Sequence, residues 1–162
     1  MSSYYIRVIQ QPTSGYAIRN NDSAAEEYRL NPPLVVQCFL NSYGQEEADD
    51  LLVAYVYIYT EDGTQRYDSV YVDGYYKNLL MGTLVSSPTR RRDSYNRRGV
   101  FFTFSDLCVR LSGRYRLAIF IQHMGHAMGS GYATAVASGF TEPFNIYDAN
   151  LASPAPSYIS SP

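Results

Sequence analysis

Residues Leu80 to Leu117 read LMGTLVSSPTRRRDSYNRRGVFFTFSDLCVRLSGRYRL, and this stretch decides the fold. Its last part alternates. Tyr115, Leu117, Ile119 and Ile121 fall on one face, against Arg114, Arg116 and Gln122 on the other. Period-two alternation predicts a half-buried strand. Ser112-Gly113 turns the chain into it. Upstream, Val100 to Phe104 is a dense apolar strand, joined to that turn by the connector Ser105 to Arg110. Leu79 to Val85 is a further apolar segment. The stretch therefore predicts three strands, with one long arginine-loaded loop between the first two.

The same periodicity extends outward. Tyr4 to Gln10 alternates and predicts a first strand, ended by Pro12. Leu34 to Leu40 predicts a second. Val53 to Thr60 and Gln65 to Val72 predict a hairpin around Asp62-Gly63, with Val53, Tyr55, Tyr57 and Tyr59 on one face and Ala54, Val56 and Ile58 on the other. Asp73-Gly74 turns again, and Tyr75 to Leu80 predicts a short helical turn. Tyr132 to Ala137 and Phe144 to Tyr147 predict the last strands. Eight or nine short strands with frequent turn signals and almost no helix argue an antiparallel β-sandwich or barrel. The composition agrees: 17 Tyr and no Trp among 162 residues suit pleated, half-buried surfaces. One domain over residues 1–148 is expected, followed by a Ser/Pro/Ala-rich disordered tail over 149–162.

Charge is divided. Residues 1–89 carry five basic and eleven acidic side chains, and residues 90–162 carry eight and four. An acidic body with one basic patch suits a specific anionic partner. The patch is Arg90, Arg91, Arg92, Arg97 and Arg98, with Tyr95 and Asn96 between them. Arginine pairs bidentately with phosphate and with guanine edges. A solubilising loop that also serves as a nuclear import signal is the competing reading. Glu46, Glu47, Asp49 and Asp50 lack the ligand spacing of a calcium loop and read as a solvated loop. His123 and His126 sit in a Gly-rich loop with no Cys or acid beside them in sequence, so no metal is expected.

Nothing in the sequence points to catalysis. There is no nucleophile elbow, no recognisable Cys nucleophile, and the carboxylates lie in turns. No cofactor and no small-molecule substrate are expected. Cys38 and Cys108 read as small core residues. The first residues hold no apolar run resembling a signal peptide, and no segment is long enough to span a membrane. A soluble intracellular protein is expected.

Four pieces in order carry a family resemblance. They are Arg7-Val8-Ile9-Gln10-Gln11-Pro12, then Asn31-Pro32-Pro33-Leu34-Val35-Val36-Gln37. The central pieces L-M-G-T-L-V-S-S, F-F-x-F-x-D-L-x-V-R and G-x-Y-R-L follow, and last comes Glu142-Pro143-Phe144-Asn145-Ile146-Tyr147. They span residues 7 to 147, and the chain resembles the velvet domain of fungal transcriptional regulators. That resemblance implies an immunoglobulin-like sandwich similar to the DNA-binding half of Rel/NF-κB proteins. It also implies a nuclear DNA-binding regulator of fungal development, sporulation and secondary metabolism, with shuttling to the cytoplasm left open. The partners it implies are double-stranded DNA and another velvet protein in a homo- or heterodimer. The alternative is a velvet-fold dimerisation module with little DNA contact of its own.

One departure bears on the site. Velvet proteins typically follow Q-Q-P with a basic loop corresponding to the Rel recognition loop. Here that place reads TSGYAIRNNDSAAEEYRLN, where only Arg19 and Arg29 are basic. Arg19 and Arg29 therefore join the five clustered arginines as candidate DNA-binding residues, on a thinned loop.

Overall fold

The computed structural model describes residues 3–19, 25–41, 51–124 and 135–148. Two sheets face each other. The first is four-stranded, in the order β1 (Ser3–Gln10), β3 (Leu34–Asn41), β10 (Arg98–Phe104) and β9 (Thr89–Arg92). The second runs β2 (Ser14–Tyr16), β14 (Phe144–Tyr147), β12 (Gly113–His123), β4 (Leu52–Thr60) and β8 (Val85–Ser86), with β13 (Ala135–Phe140) also paired to β12. All these pairs are antiparallel except β2 with β14. Small two-stranded pieces, β5 (Ser69–Val72) with β6 (Tyr75–Asn78) and β7 (Leu80–Met81) with β11 (Cys108–Val109), complete the fold. The expected all-β sandwich is what forms. Helix is confined to short pieces, such as the 3-10 turn at Glu26–Tyr28.

The core lies where alternation placed it. Leu117, Ile119 and Ile121 are fully buried and Tyr115 nearly so. They meet Ala54, Val56 and Ile58 from β4 and Leu34, Val36, Phe102 and Phe104 from the facing sheet. Truncating Phe102, which has no exposed surface, removes a whole ring from this layer. Phe102→Ala is expected to cost about 3–5 kcal/mol, read as a fall in the urea midpoint at unchanged slope. Tyr115 turns its hydroxyl back to donate to the carbonyl oxygens of Leu111 (3.1 Å) and Ser112 (3.3 Å). This is the tyrosine corner of immunoglobulin-like sandwiches. Burial pushes the Tyr115 phenol up to about 12, so it stays a donor throughout the working pH range. Cys38 and Cys108 are buried and unbridged, as expected.

Beyond the split of the Leu79–Val85 segment into β7 and β8 and the presence of β11 inside the expected connector, the local elements depart from expectation in three places. Tyr75–Asn78 is a strand, not a helical turn. Asp73 (φ 51) and Gly74 (φ 89) both sit in the left-handed region, and two such residues make the tight turn that pairs Val72 with Tyr75. The hairpin after β4 is shorter than its sequence suggests. Pairing stops near the Tyr59–Arg66 bridge, because β5 takes β6 as its partner and β8 lies on that edge of β4. Its turn is nevertheless well held. Asp62 accepts from the hydroxyls of Thr64 and Thr60 and from the Thr64 amide, which lowers its carboxyl to about 2. The third departure is the arginine segment, described below. The expected tail over 149–162, the acidic loop Gln45–Asp50 and the glycine-rich turn around His126 lie outside the described residues.

The central signature residues lock one corner of the sandwich. Gly82 has φ +115, and a Cβ there would stand 2.5 Å from the Asp106 carbonyl oxygen. The Asp106 carboxylate accepts from the Thr83 amide (2.9 Å) and the Thr83 hydroxyl (2.7 Å). The M-G-T and S-D-L pieces of the motif are thus two halves of one contact, which aligns β7 with β11.

Candidate nucleic-acid interface

Four of the five clustered arginines lie on strands, and only Arg97 lies in the turn between them. Thr89–Arg92 is strand β9 and Arg98 opens β10, in the register Arg98↔Arg92, Gly99↔Arg91, Val100↔Arg90. Together they form a β-hairpin at the edge of the four-stranded sheet. All four residues of β9 are exposed. An edge strand open on both sides carries charge at no desolvation cost, so a run of arginines can pair there without any apolar alternation.

The turn is built from side chains. Asp93 Oδ1 accepts the amides of Tyr95 and Arg97, each at 2.9 Å, and Oδ2 accepts Arg97 Nε at 3.2 Å. Asn96 takes φ 63, the left-handed residue that ends a three-residue hairpin loop. The Arg97 amide, first, and then the Tyr95 amide and the Arg97 charge hold the Asp93 carboxyl below its ordinary value. A depressed carboxyl adds stability above the unfolded value of 3.8 and loses it as pH falls through the folded value. Acidification is therefore expected to loosen this turn. The Tyr95 and Arg97 amide resonances should move together below the usual carboxylate range, and Asp93→Asn should remove that titration.

The five arginines take distinct roles. Arg97 is spent on the turn, and its guanidinium lies 5.1 Å from the Tyr95 ring. Arg91 packs over Phe101, 4.2 Å from the ring centroid. Successive side chains on a strand alternate, so Arg90, Arg92 and the cross-strand Arg98 point the other way. Arg92 donates one hydrogen bond, Nη1 to the Asn96 carbonyl at 2.9 Å. Arg98 has no side-chain hydrogen-bond or ion-pair partner among the described residues.

Arg19 and Arg29 stand elsewhere. Leu30 donates its amide to the Leu107 carbonyl and Arg19 donates its amide to the Arg110 carbonyl. Both arginines thus lie past the Phe104 end of β10, while the hairpin tip lies past its Arg98 end. Six residue steps of strand separate those ends, about 20 Å. The structure does not join the two groups into one site. Arg19 also pairs with Asp148 at 3.0 Å, and Arg29 follows the 3-10 turn.

Arg110, a residue of the central motif with no role assigned from sequence, organises that second end. It is 2% exposed. Its Nε donates to the Asn78 carbonyl (3.0 Å), Nη1 to the Arg19 carbonyl (2.6 Å) and Nη2 to Met81 Sδ (3.0 Å). It ties the N-terminal loop to β6, β7 and β11. The available signal was its place directly after the apolar run Leu107-Cys108-Val109. Cys108 nearby is a thiol pushed up by burial, which makes it a packing residue, not a nucleophile. No group of His, Cys, Asp and Glu fit to hold a metal occurs among the described residues.

Comparison with known proteins identifies the family. The family described as Velvet factor matches residues 57–153. The chain is 30% identical over 146 residues to the "Sexual development regulator VELC" of Pyricularia oryzae, covering 85% of this chain and 32% of that protein. It is 34% identical over 125 residues to the "Spore development regulator vosA" of Beauveria bassiana, covering 72% and 44%. It is 34% identical over 83 residues to the "Velvet complex subunit 2" of Hypocrea jecorina, covering 47% and 17%. The chain thus spans less than half the length of these relatives. The family match over residues 57–153, with the motif pieces locking one corner of an immunoglobulin-like sandwich, shows that the chain belongs to the velvet family.

Proposed function

We propose that this domain regulates fungal development and spore formation by binding double-stranded DNA through the β9–β10 hairpin. It acts in the nucleus, as a dimer with itself or with another velvet protein, and it is not an enzyme. A role in secondary metabolism belongs to the same reading. The observation that carries it is the hairpin. Four exposed arginines, Arg90, Arg91, Arg92 and Arg98, flank a turn whose only acid, Asp93, is committed to backbone amides and Arg97. A cationic ribbon held this firmly favours a polyanion. Relatives named as regulators of sexual and spore development support the biological role.

The dimerisation-module reading has its own support. The outer face of the six-stranded sheet presents Tyr57 against Phe120 and Tyr59 against Phe140, with Arg66 3.9 Å over Tyr57. Aromatic residues and arginine are enriched at interfaces, and several relatives carry the name of velvet complex subunits. A salt-titrated binding assay on duplex DNA, run beside mass measurement of the oligomer, separates the two. DNA retardation that weakens with salt supports the first reading. A stable dimer that retards no DNA supports the second.

A further inference from the structure

We propose that the β9–β10 hairpin enters the major groove as a two-stranded ribbon, and that Arg92 and Arg98 read guanine there. This rests on the DNA-binding reading above and specifies how that site works.

The end of the ribbon parts from β3, which runs on to Asn41 against β1. The β10–β3 ladder ends at Val100↔Cys38, whereas the β10–β9 ladder continues to Arg98↔Arg92. Past Val100, the hairpin pairs only with itself. Two residues of each strand, about 7 Å of ribbon, and the turn beyond them lie past that rung, and the major groove is about 8.5 Å deep and wide enough to admit a two-stranded β-ribbon. The tip is stiff, because Asp93 holds two amides and a guanidinium. A ribbon ordered before binding loses little freedom on entering a groove.

The cross-strand pair supplies the reading heads. Arg92 and Arg98 are directly opposed, so their Cβ atoms lie roughly 5 Å apart on one face. Like charges so placed repel, and no described acid bridges them. Arg92 is braced through Nη1 on the Asn96 carbonyl, which leaves its Nε–Nη2 edge for a ligand. Two parallel N–H donors match guanine O6 and N7. Arg91 faces the other way over Phe101 and suits a phosphate. The division assigns base reading to one face of the ribbon and backbone contact to the other.

The test uses the whole chain and four oligonucleotides of equal length. They are a guanine-rich duplex, its twin with 7-deazaguanine at every guanine, an A·T duplex and a single strand. Removing N7 deletes one acceptor of the bidentate pair and keeps the phosphates. The wild type is expected to bind the guanine-rich duplex on the order of tenfold more tightly than the 7-deaza twin. Arg92→Lys with Arg98→Lys keeps both charges and loses the planar fork. That variant should retain the salt slope while its guanine preference falls to about one. A matching thermal midpoint confirms that it is folded. Equal wild-type affinity for both duplexes overturns guanine reading and leaves DNA binding standing. A preference that survives in the lysine variant overturns the assignment to these two residues. Equal binding to the single strand makes the hairpin a general polyanion site and overturns groove entry. Retention of none of the four overturns the DNA-binding reading itself, and this inference with it.

Discussion

Replacing Arg91 and Arg92 with glutamate is expected to abolish binding to duplex DNA while the thermal midpoint stays nearly unchanged. Each phosphate contact releases condensed counterions and adds about −0.9 to the slope of log affinity against log salt. Alanine at Arg91, the phosphate-facing position, should flatten that slope by about 1 and weaken all sequences alike, whereas alanine at Arg92 should also erase the preference for guanine. Glutamate adds repulsion to the lost contacts. The fold should tolerate the change, because both side chains are exposed. The stacking of Arg91 on Phe101 contributes only about 0.5–1 kcal/mol at such a site. Binding is measured on purified protein, so that no change of cellular location enters the result. Unchanged affinity and slope in the purified Arg91→Glu, Arg92→Glu protein would move the weight to the dimerisation module.

The second large effect lies at the opposite end of β10. Arg110→Met is expected to destabilise the fold by about 3–5 kcal/mol, because two carbonyls each lose a charged donor at roughly 1.5–3 kcal/mol apiece. The methionine fills much of the volume, yet the carbonyls of Asn78 and Arg19 lose their buried donor. Urea unfolding measures the loss. Hydrogen exchange should rise first at the Ile18 and Arg19 amides, whose acceptors Val109 and Arg110 border the altered site. In the protein that remains folded, the salt slope for DNA should not change, because the hairpin tip is remote. A stability change below about 1 kcal/mol, the worth of an ordinary exposed contact, would refute the buried-network role.

What the sequence reveals follows physical lines. Tyr115, Leu117, Ile119 and Ile121 are legible because a strand with one buried face must alternate. The β9 strand is hidden for the converse reason. With both faces in water it shows no alternation, and only the turn formers Asp93 and Asn96 mark it. The Tyr75–Asn78 strand is misread for want of apolar contrast, since Tyr75 and Tyr76 are largely exposed. Arg110 is opaque because burial is a property of the assembled corner, and a single arginine reads the same in sequence whether it faces solvent or carbonyls. The candidate arginines are legible as residues but not as two separate groups. Their separation is set by the length of β10 and by the backbone bonds that seat Arg19 and Leu30 against Arg110 and Leu107, which no local pattern encodes.

The arginine edge also governs what this sheet refuses. A sheet edge left bare is a template on which a second copy can add its own strand, and repeated addition leads to fibres. Here one of the two edges is β9, with arginine at three of its four positions. Two copies approaching β9 to β9 would bring six guanidinium groups together with no described carboxylate to separate them. Sheet extension through this edge is therefore closed to the protein alone and becomes open only when an anion lies between the copies. Any sheet-to-sheet assembly formed without nucleic acid has to use another edge, such as β1, and the same feature that draws a polyanion keeps the unliganded domain from extending this sheet at β9.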